Sequence, residues 1–301
     1  MTFLYSIAPI ILTLLIVFWL RYKKFLTEDA KTVIATLNFK VLAPLVVFSA
    51  ILKSDFRVSN IKVAIVASVI VLILLLVGSL LVRSLKVTRS QQGALLFAFV
   101  SSAITSFAYP FALQFFDSEV IKNIIIIDSV LFPVALFLVL PFVAFQFGKK
   151  QDAVKDIVQK IITNYVFVAA IAGYLFVLLG IQLSPDIFVV LEFLTKAFPF
   201  LAIVFVGLNL NVPSGKSVKV SIFLIISYIL VGSIGILFSS IMLGLSRPEY
   251  IALALSLLAP VAPFMVGLAK EEGYDVSIMS QMLIFSMIFT LALYMLIAVF
   301  L

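Results

Sequence analysis

The chain has 301 residues, 64% of them hydrophobic and 12% charged, with 21 basic against 14 acidic side chains and a net charge of +7. Ordinary soluble domains carry about 25% charged residues, so this composition excludes a soluble globular protein and implies a polytopic membrane protein with little mass outside the bilayer. Cysteine and histidine are absent. That excludes a disulfide framework, thiol chemistry and thiolate metal sites, and it leaves any proton-linked step near neutral pH to a carboxylate, lysine or tyrosine.

Ten apolar runs follow one another. Span 1, about 3–20, has no basic region ahead of it and no small-residue cleavage site behind it, so it reads as a retained helix. After the loop at 21–31, Thr27-Glu28-Asp29 reads as a helix start, and span 2 covers about 33–52. Spans 3, 4 and 5 cover about 63–82, 93–115 and 124–145. The polar stretch 148–161 is expected to be a linker between two halves, 1–147 and 162–301. Spans 6, 7 and 8 cover about 162–179, 187–210 and 220–243. Arg247-Pro248-Glu249 restarts a helix, with proline early and acid beside it. Spans 9 and 10 cover about 250–269 and 276–300.

Charge orients these spans. The loops after spans 1, 3, 5, 7 and 9 hold 14 basic residues, and the opposite side holds five. The positive-inside rule assigns the richer side to the cytoplasm and both termini to the outside of the plasma membrane. Most of the positive charge is thereby explained as topology signal, and no nucleic-acid partner is expected.

The two halves superpose in pattern. Pro44 and Pro110 are 66 residues apart, and Pro199 and Pro263 are 64 apart. Asp128 lies 18 residues after Pro110, and Gln281 lies 18 after Pro263. Lys40 and Lys196 also fall within one place of matching positions. Because each half holds an odd number of spans, the second must enter the membrane from the opposite side. The expected fold is therefore all-α, with ten transmembrane helices in two inverted five-helix repeats.

Span 4 is the stretch the rest is organised around. Its centre holds Ser101, Ser102, Thr105 and Ser106, then Tyr109 and Pro110. Proline has no N–H to give and crowds the preceding turn, while hydroxyls can repair the freed backbone or present oxygens to a solute. Spans 4 and 9 are expected to be broken and to cross, with Pro110 and Pro263 as determinants, so that half-helix ends meet near the midplane. Asp128 beside Ser129 in span 5 is the leading ionisable candidate, since a carboxylate inside a span is costly and usually functional. It would carry a coupling proton or bind a cation. Gln281 with Ser280 is its counterpart in span 10. Asn38, and Lys196 with Glu192 four residues before it, complete the candidate solute or ion contacts. Asn209 and Asn211 read as caps of span 7, and Glu271, Glu272 and Asp275 as a solvated loop and helix start.

Four segments, LNFKVLAPLVVFSAILKSDF (37–56), TSFAYPFALQFF (105–116), FPFLAIVFVGLNL (198–210) and LAPVAPFMVGLAKEEGYDVSIMSQMLIFS (258–286), occur in this order among ten spans. In this the chain resembles the auxin efflux carrier family, including its bacterial malate-permease-like members, and through it a larger group containing bile acid:sodium symporters. The resemblance implies a scaffold of spans 1, 2, 6 and 7, a crossover transport domain of spans 3–5 and 8–10, and a homodimer through the scaffold. Two features depart from these relatives: no asparagine precedes the proline in span 4, and the span 9 crossing Ala259–Phe264 has no polar side chain.

The resulting expectation is secondary active transport of a small organic anion or carboxylate by alternating access, coupled to a gradient of H+ or Na+, with protons favoured. A sodium-coupled bile-acid-like symporter and a channel or sensor are the alternatives. No nucleophile–base pair or metal cluster is legible, so an enzyme is not expected, and no cofactor is expected beyond a coupling ion.

Overall fold

The computed structural model describes residues 2–53, 61–147, 165–209 and 216–300, together with 159, 162 and 163. The expected linker at 148–161 lies almost wholly outside the described residues, as does Asn211. Among the described residues every element is helical. In chain order these are α1 (Thr2–Tyr22), α2 (Glu28–Thr36), α3 (Ala43–Lys53), α4 (Ile61–Ser84), α5 (Arg89–Phe99), α6 (Tyr109–Phe115), α7 (Ser118–Val134) and α8 (Leu140–Phe147). The second half supplies α9 (Tyr165–Leu178), α10 (Pro185–Thr195), α11 (Ala197–Asn209), α12 (Lys216–Leu243), α13 (Arg247–Leu257), α14 (Pro263–Glu271) and α15 (Val276–Phe300).

By length and composition, five described stretches suffice to cross a membrane: 29–49, 61–84, 118–147, 218–243 and 276–300. Spans 4 and 9 fail that length test for a physical reason. Each is interrupted in its middle, so neither presents one continuous long helix. The molecule is an all-α, multi-span membrane protein with two broken helices.

Helix starts follow the local chemistry. The Thr27 hydroxyl accepts from the Ala30 N–H, and α2 begins at Glu28. Thr88 and Gln91 cap each other reciprocally at the start of α5. The Glu249 carboxylate accepts from the Ser246 N–H at 2.7 Å at the start of α13. Each arrangement satisfies orphan N–H groups of a first turn.

Three prolines widen their helices instead of breaking them. Wide π-type turns occupy Leu37–Leu42, Ile104–Ala108 and Ala135–Val139, just ahead of Pro44, Pro110 and Pro141. In each, the residue before the proline donates its N–H five residues back: Ala43 to the Asn38 carbonyl, Tyr109 to Ile104, and Leu140 to Ala135. A proline ring collides with the carbonyl four residues earlier. Adding one residue to the turn moves that carbonyl aside and keeps the chain helical.

The chain divides into two compact units. The first comprises Met1–Asp55 and Gln159–Leu210. Within it α1 packs on α11, and α3 packs on α9. Gly207 makes the first approach close: a Cβ there would lie 2.8 Å from Val17 Cγ1.

The second unit comprises Phe56–Val158 and Asn211–Leu301. Here α4 packs on α5 and α7, α12 on α13 and α15, α5 on α15, and α13 on α7. Its core holds Ile70, Leu74, Leu95, Phe97, Phe99, Ile124, Ile127 and Tyr294, all nearly fully buried. Small residues permit tight helix approach, as expected where lipid supplies no hydrophobic drive between helices. A Cβ on Gly93 would meet the Tyr274 ring at 2.4 Å, and one on Gly78 would meet Phe99 at 2.6 Å.

Candidate functional site

The two breaks lie together in the second unit. In span 4, α5 ends at Phe99, and the chain leaves helical geometry through Val100 (φ −107, ψ 3) to Ala103 (φ −81, ψ 61) before the helix resumes at Ile104. In span 9, α13 ends at Leu257, Leu258 takes φ −99 and ψ 14, and α14 begins at Pro263. The Ala103 N–H donates to the Pro260 carbonyl at 2.8 Å, joining one break directly to the other.

The sequence explains the second break better than the first. Pro260 lies inside it and Pro263 ends it, and each removes a backbone donor and biases its predecessor away from helix. The first break contains no proline. The Ser101 hydroxyl donates to the Ala98 carbonyl at 3.2 Å, an example of serine competing for a helix-end acceptor. Pro110 was expected to determine this crossing, but the interruption falls at 100–103, ahead of it. Pro110 belongs to the resumed helix, and its side chain lies outside the described residues, as does that of Ser106. Pro263 opens α14 immediately after the second break, where helices tolerate proline.

Side chains from two helices, α12 and α15, close the orphan carbonyls at the C-terminal end of α13. Tyr294 donates to the Leu255 carbonyl, Tyr228 to that of Leu257, and Thr290 to that of Leu258 at 2.9 Å. The Ser286 hydroxyl accepts from the Val261 N–H at 3.0 Å. The register 294 to 255, 290 to 258 and 286 to 261 shows α15 running antiparallel alongside the whole break. The carbonyls are occupied by hydroxyl donors of the protein, because α12 and α15 bring polar side chains to the same depth. The Gln281 Oε1 is buried without a partner and remains a free acceptor on α15.

On the other side of the first break, Thr105 donates to the carboxylate of Asp128, which α7 holds partly buried. Ser102 meets the Tyr228 hydroxyl at 3.1 Å. Tyr109, at the start of α6, is partly buried.

The remaining expected residues are distributed differently. Ser129 is buried and donates to the Ile126 carbonyl at 2.9 Å, and Ser280 donates to Val276 at 2.8 Å. Both hydroxyls are turned onto their own helices. Asn38 lies in the first unit, fully buried, with neither amide atom partnered. Lys196, also in the first unit, is exposed and pairs with Glu192 at 3.6 Å. Asp275 is more than a solvated loop acid. It accepts from the N–H groups of Ser277 and Ile278 at the start of α15 and from the Gln91 amide at 3.1 Å, fastening the beginnings of α5 and α15.

The sequence reading missed Tyr228, Ser286, Thr290 and Tyr294. Their signal was present: tyrosine hydroxyls buried inside apolar helices need partners. What was not legible was which partners they find. Among the described residues, no group of three acidic side chains could hold a metal ion.

No curated protein matches the chain. Residues 2–132, running from α1 into α7 and including the first break and Asp128, match the family model described as "Membrane transport protein". The matched part of the chain is thus similar to a family of membrane transport proteins.

Proposed function

We propose that the protein is a secondary carrier that moves a small organic anion, in the carboxylate class, across the plasma membrane by alternating access. One observation carries the reading: two interrupted helices meet backbone to backbone at Ala103 and Pro260, with the Asp128–Thr105 pair beside the first break. Interrupted helices supply N–H groups and polar side chains for a solute without exposing backbone to lipid.

The packing supports two inverted five-span repeats. The contact of α5 with α15 has its counterpart in α13 with α7, and that of α4 with α7 in α12 with α15. In the other unit, α1 on α11 corresponds to α3 on α9. On this reading the unit of spans 1, 2, 6 and 7 is the scaffold, also the expected homodimer surface, and the unit with the breaks is the transport domain. Both termini face outward.

Proton coupling is favoured over sodium coupling. The carbonyls of Leu255, Leu257 and Leu258 already have hydroxyl donors, which leaves Asp128 as the ionisable group at the crossing. An anion and an ionised carboxylate repel at short range, so the anion would travel with a proton on Asp128. Asn38, with a buried amide lacking partners, is the polar candidate within the first unit.

Uptake of labelled organic acids and bile-acid-like anions into proteoliposomes tests this, with proton and sodium gradients imposed separately. Saturable, proton-driven uptake that Asp128→Asn abolishes is the expected result. Sodium-driven uptake overturns the coupling, and non-saturating flux insensitive to both gradients overturns the carrier mechanism.

A further inference from the structure

We propose that Tyr228 is a positioning residue that ties the two helix breaks together, its hydroxyl relaying a hydrogen bond from Ser102 in the first break to the Leu257 carbonyl in the second. Tyr228 lies on α12, outside both broken spans, and is buried. Its hydroxyl reaches Ser102 Oγ at 3.1 Å, the Leu257 carbonyl, and the Ala259 carbonyl at 3.4 Å. A phenol has one proton to give. Given to Leu257, it leaves the phenolic oxygen as acceptor for the Ser102 proton.

The ring acts in the same sense as the hydroxyl. It packs edge-on against Phe99, the last residue of α5, with centroids 5.8 Å apart. One turn further along α12, Gly232 lets that helix lie close to the second break, where a Cβ would stand 3.0 Å from Leu258 Cδ2. A single side chain therefore touches the end of α5, the first break and the second break. The direct link from Ala103 to Pro260 is one backbone bond, and the Ser102–Tyr228–Leu257 relay is the side-chain brace beside it.

This has a consequence for which groups meet the solute. Ser102 was expected to line the site, yet its proton is committed to Tyr228. Ser102 acts through the brace, while Thr105 remains on the Asp128 side. The effect on transport rests on the carrier reading above, whereas the brace itself does not.

Hydrogen–deuterium exchange of the purified full chain in lipid nanodiscs tests the brace without any solute. Tyr228→Phe removes only the hydroxyl. Exchange is expected to quicken about tenfold at the Ala103 and Val261 amides, one in each break, with the buried turns of α4 unchanged. Ser102→Ala is expected to quicken Ala103, and adding Tyr228→Phe to it is expected to quicken Ala103 by clearly less than the product of the two single effects, since the Ser102–Tyr228 bond is lost in both. Faster exchange at Val261 alone, or additive effects at Ala103, would overturn the proposal. If Tyr228→Phe fails to yield monodisperse protein, Ser102→Ala decides alone: unchanged exchange at Ala103 overturns it.

In proteoliposomes Tyr228→Phe is expected to lower maximal uptake about tenfold while changing KM less than about twofold, the pattern of lost positioning and not of a lost solute contact. Absence of uptake by the unsubstituted protein would count against the carrier reading, and the exchange result would still decide the brace.

Discussion

Thr105 donates its hydroxyl hydrogen bond to Asp128, joining the turn after the first break to α7. The two residues are 23 apart in the chain, and the bond fixes where the Asp128 carboxylate sits. Removing a donor from a buried acceptor costs about 1–3 kcal/mol, roughly tenfold or more in a rate or affinity. Thr105→Val should therefore lower proton-driven uptake about tenfold, and Thr105→Ser should retain most of it. Initial rates in proteoliposomes check this. Equal rates for the valine and serine variants would remove the hydrogen bond from the mechanism.

The hydroxyls on α15 should contribute to stability independently of transport. Thr290→Val leaves the Leu258 carbonyl bare, and Tyr294→Phe does the same at Leu255. Each should destabilise the protein by about 1–3 kcal/mol. Ser227→Ala is the control, since that hydroxyl bonds the Phe223 carbonyl on its own helix at 2.9 Å. Thermal unfolding in detergent should separate the two break variants from the control. Three coincident melting curves would mean that the α13 carbonyls need no donors.

Gly93 tests how tightly α5 and its neighbours are packed. An added Cβ would stand 2.4 Å from Cε1 of the buried Tyr274 ring. Overpacking of this kind costs about 1–3 kcal/mol. Gly93→Ala should lower the melting temperature, and Tyr274→Leu should recover part of the loss by removing the ring. A double variant that melts below both single variants would place the strain elsewhere.

Asn38 should reveal a conflict between stability and activity. Its amide is fully buried, and neither polar atom has a partner. Asn38→Leu replaces it with an apolar side chain of similar size, which removes an unsatisfied buried group worth about 1–3 kcal/mol. The variant should melt higher and transport less. A higher melting temperature with unchanged uptake would show that the amide has no part in transport.

Much of the helix framework was legible in the sequence because it rests on local chemistry. Thr27 and Arg247-Pro248-Glu249 mark starts that the structure keeps, since capping needs only neighbouring residues. Pro263 forecast the second break, as proline acts on its own turn wherever the helix is placed. Pro110 misled for the same reason: its effect is local, and a one-residue widening at 104–108 absorbs it.

The composition, the run of apolar segments and the paired proline spacing were determined by the sequence alone, because lipid demands continuous apolar helices and proline punctuates them at fixed places. The first break was decided by tertiary structure. Nothing between Val100 and Ala103 forbids a helix, and the gap is held by Pro260 and Tyr228, which lie well over 100 residues away along the chain. The same holds for the closed carbonyls of α13. Tyr228, Thr290 and Tyr294 are ordinary apolar-span residues until helix packing brings their hydroxyls to the depth where backbone acceptors lack partners, and periodicity carries no information about that register.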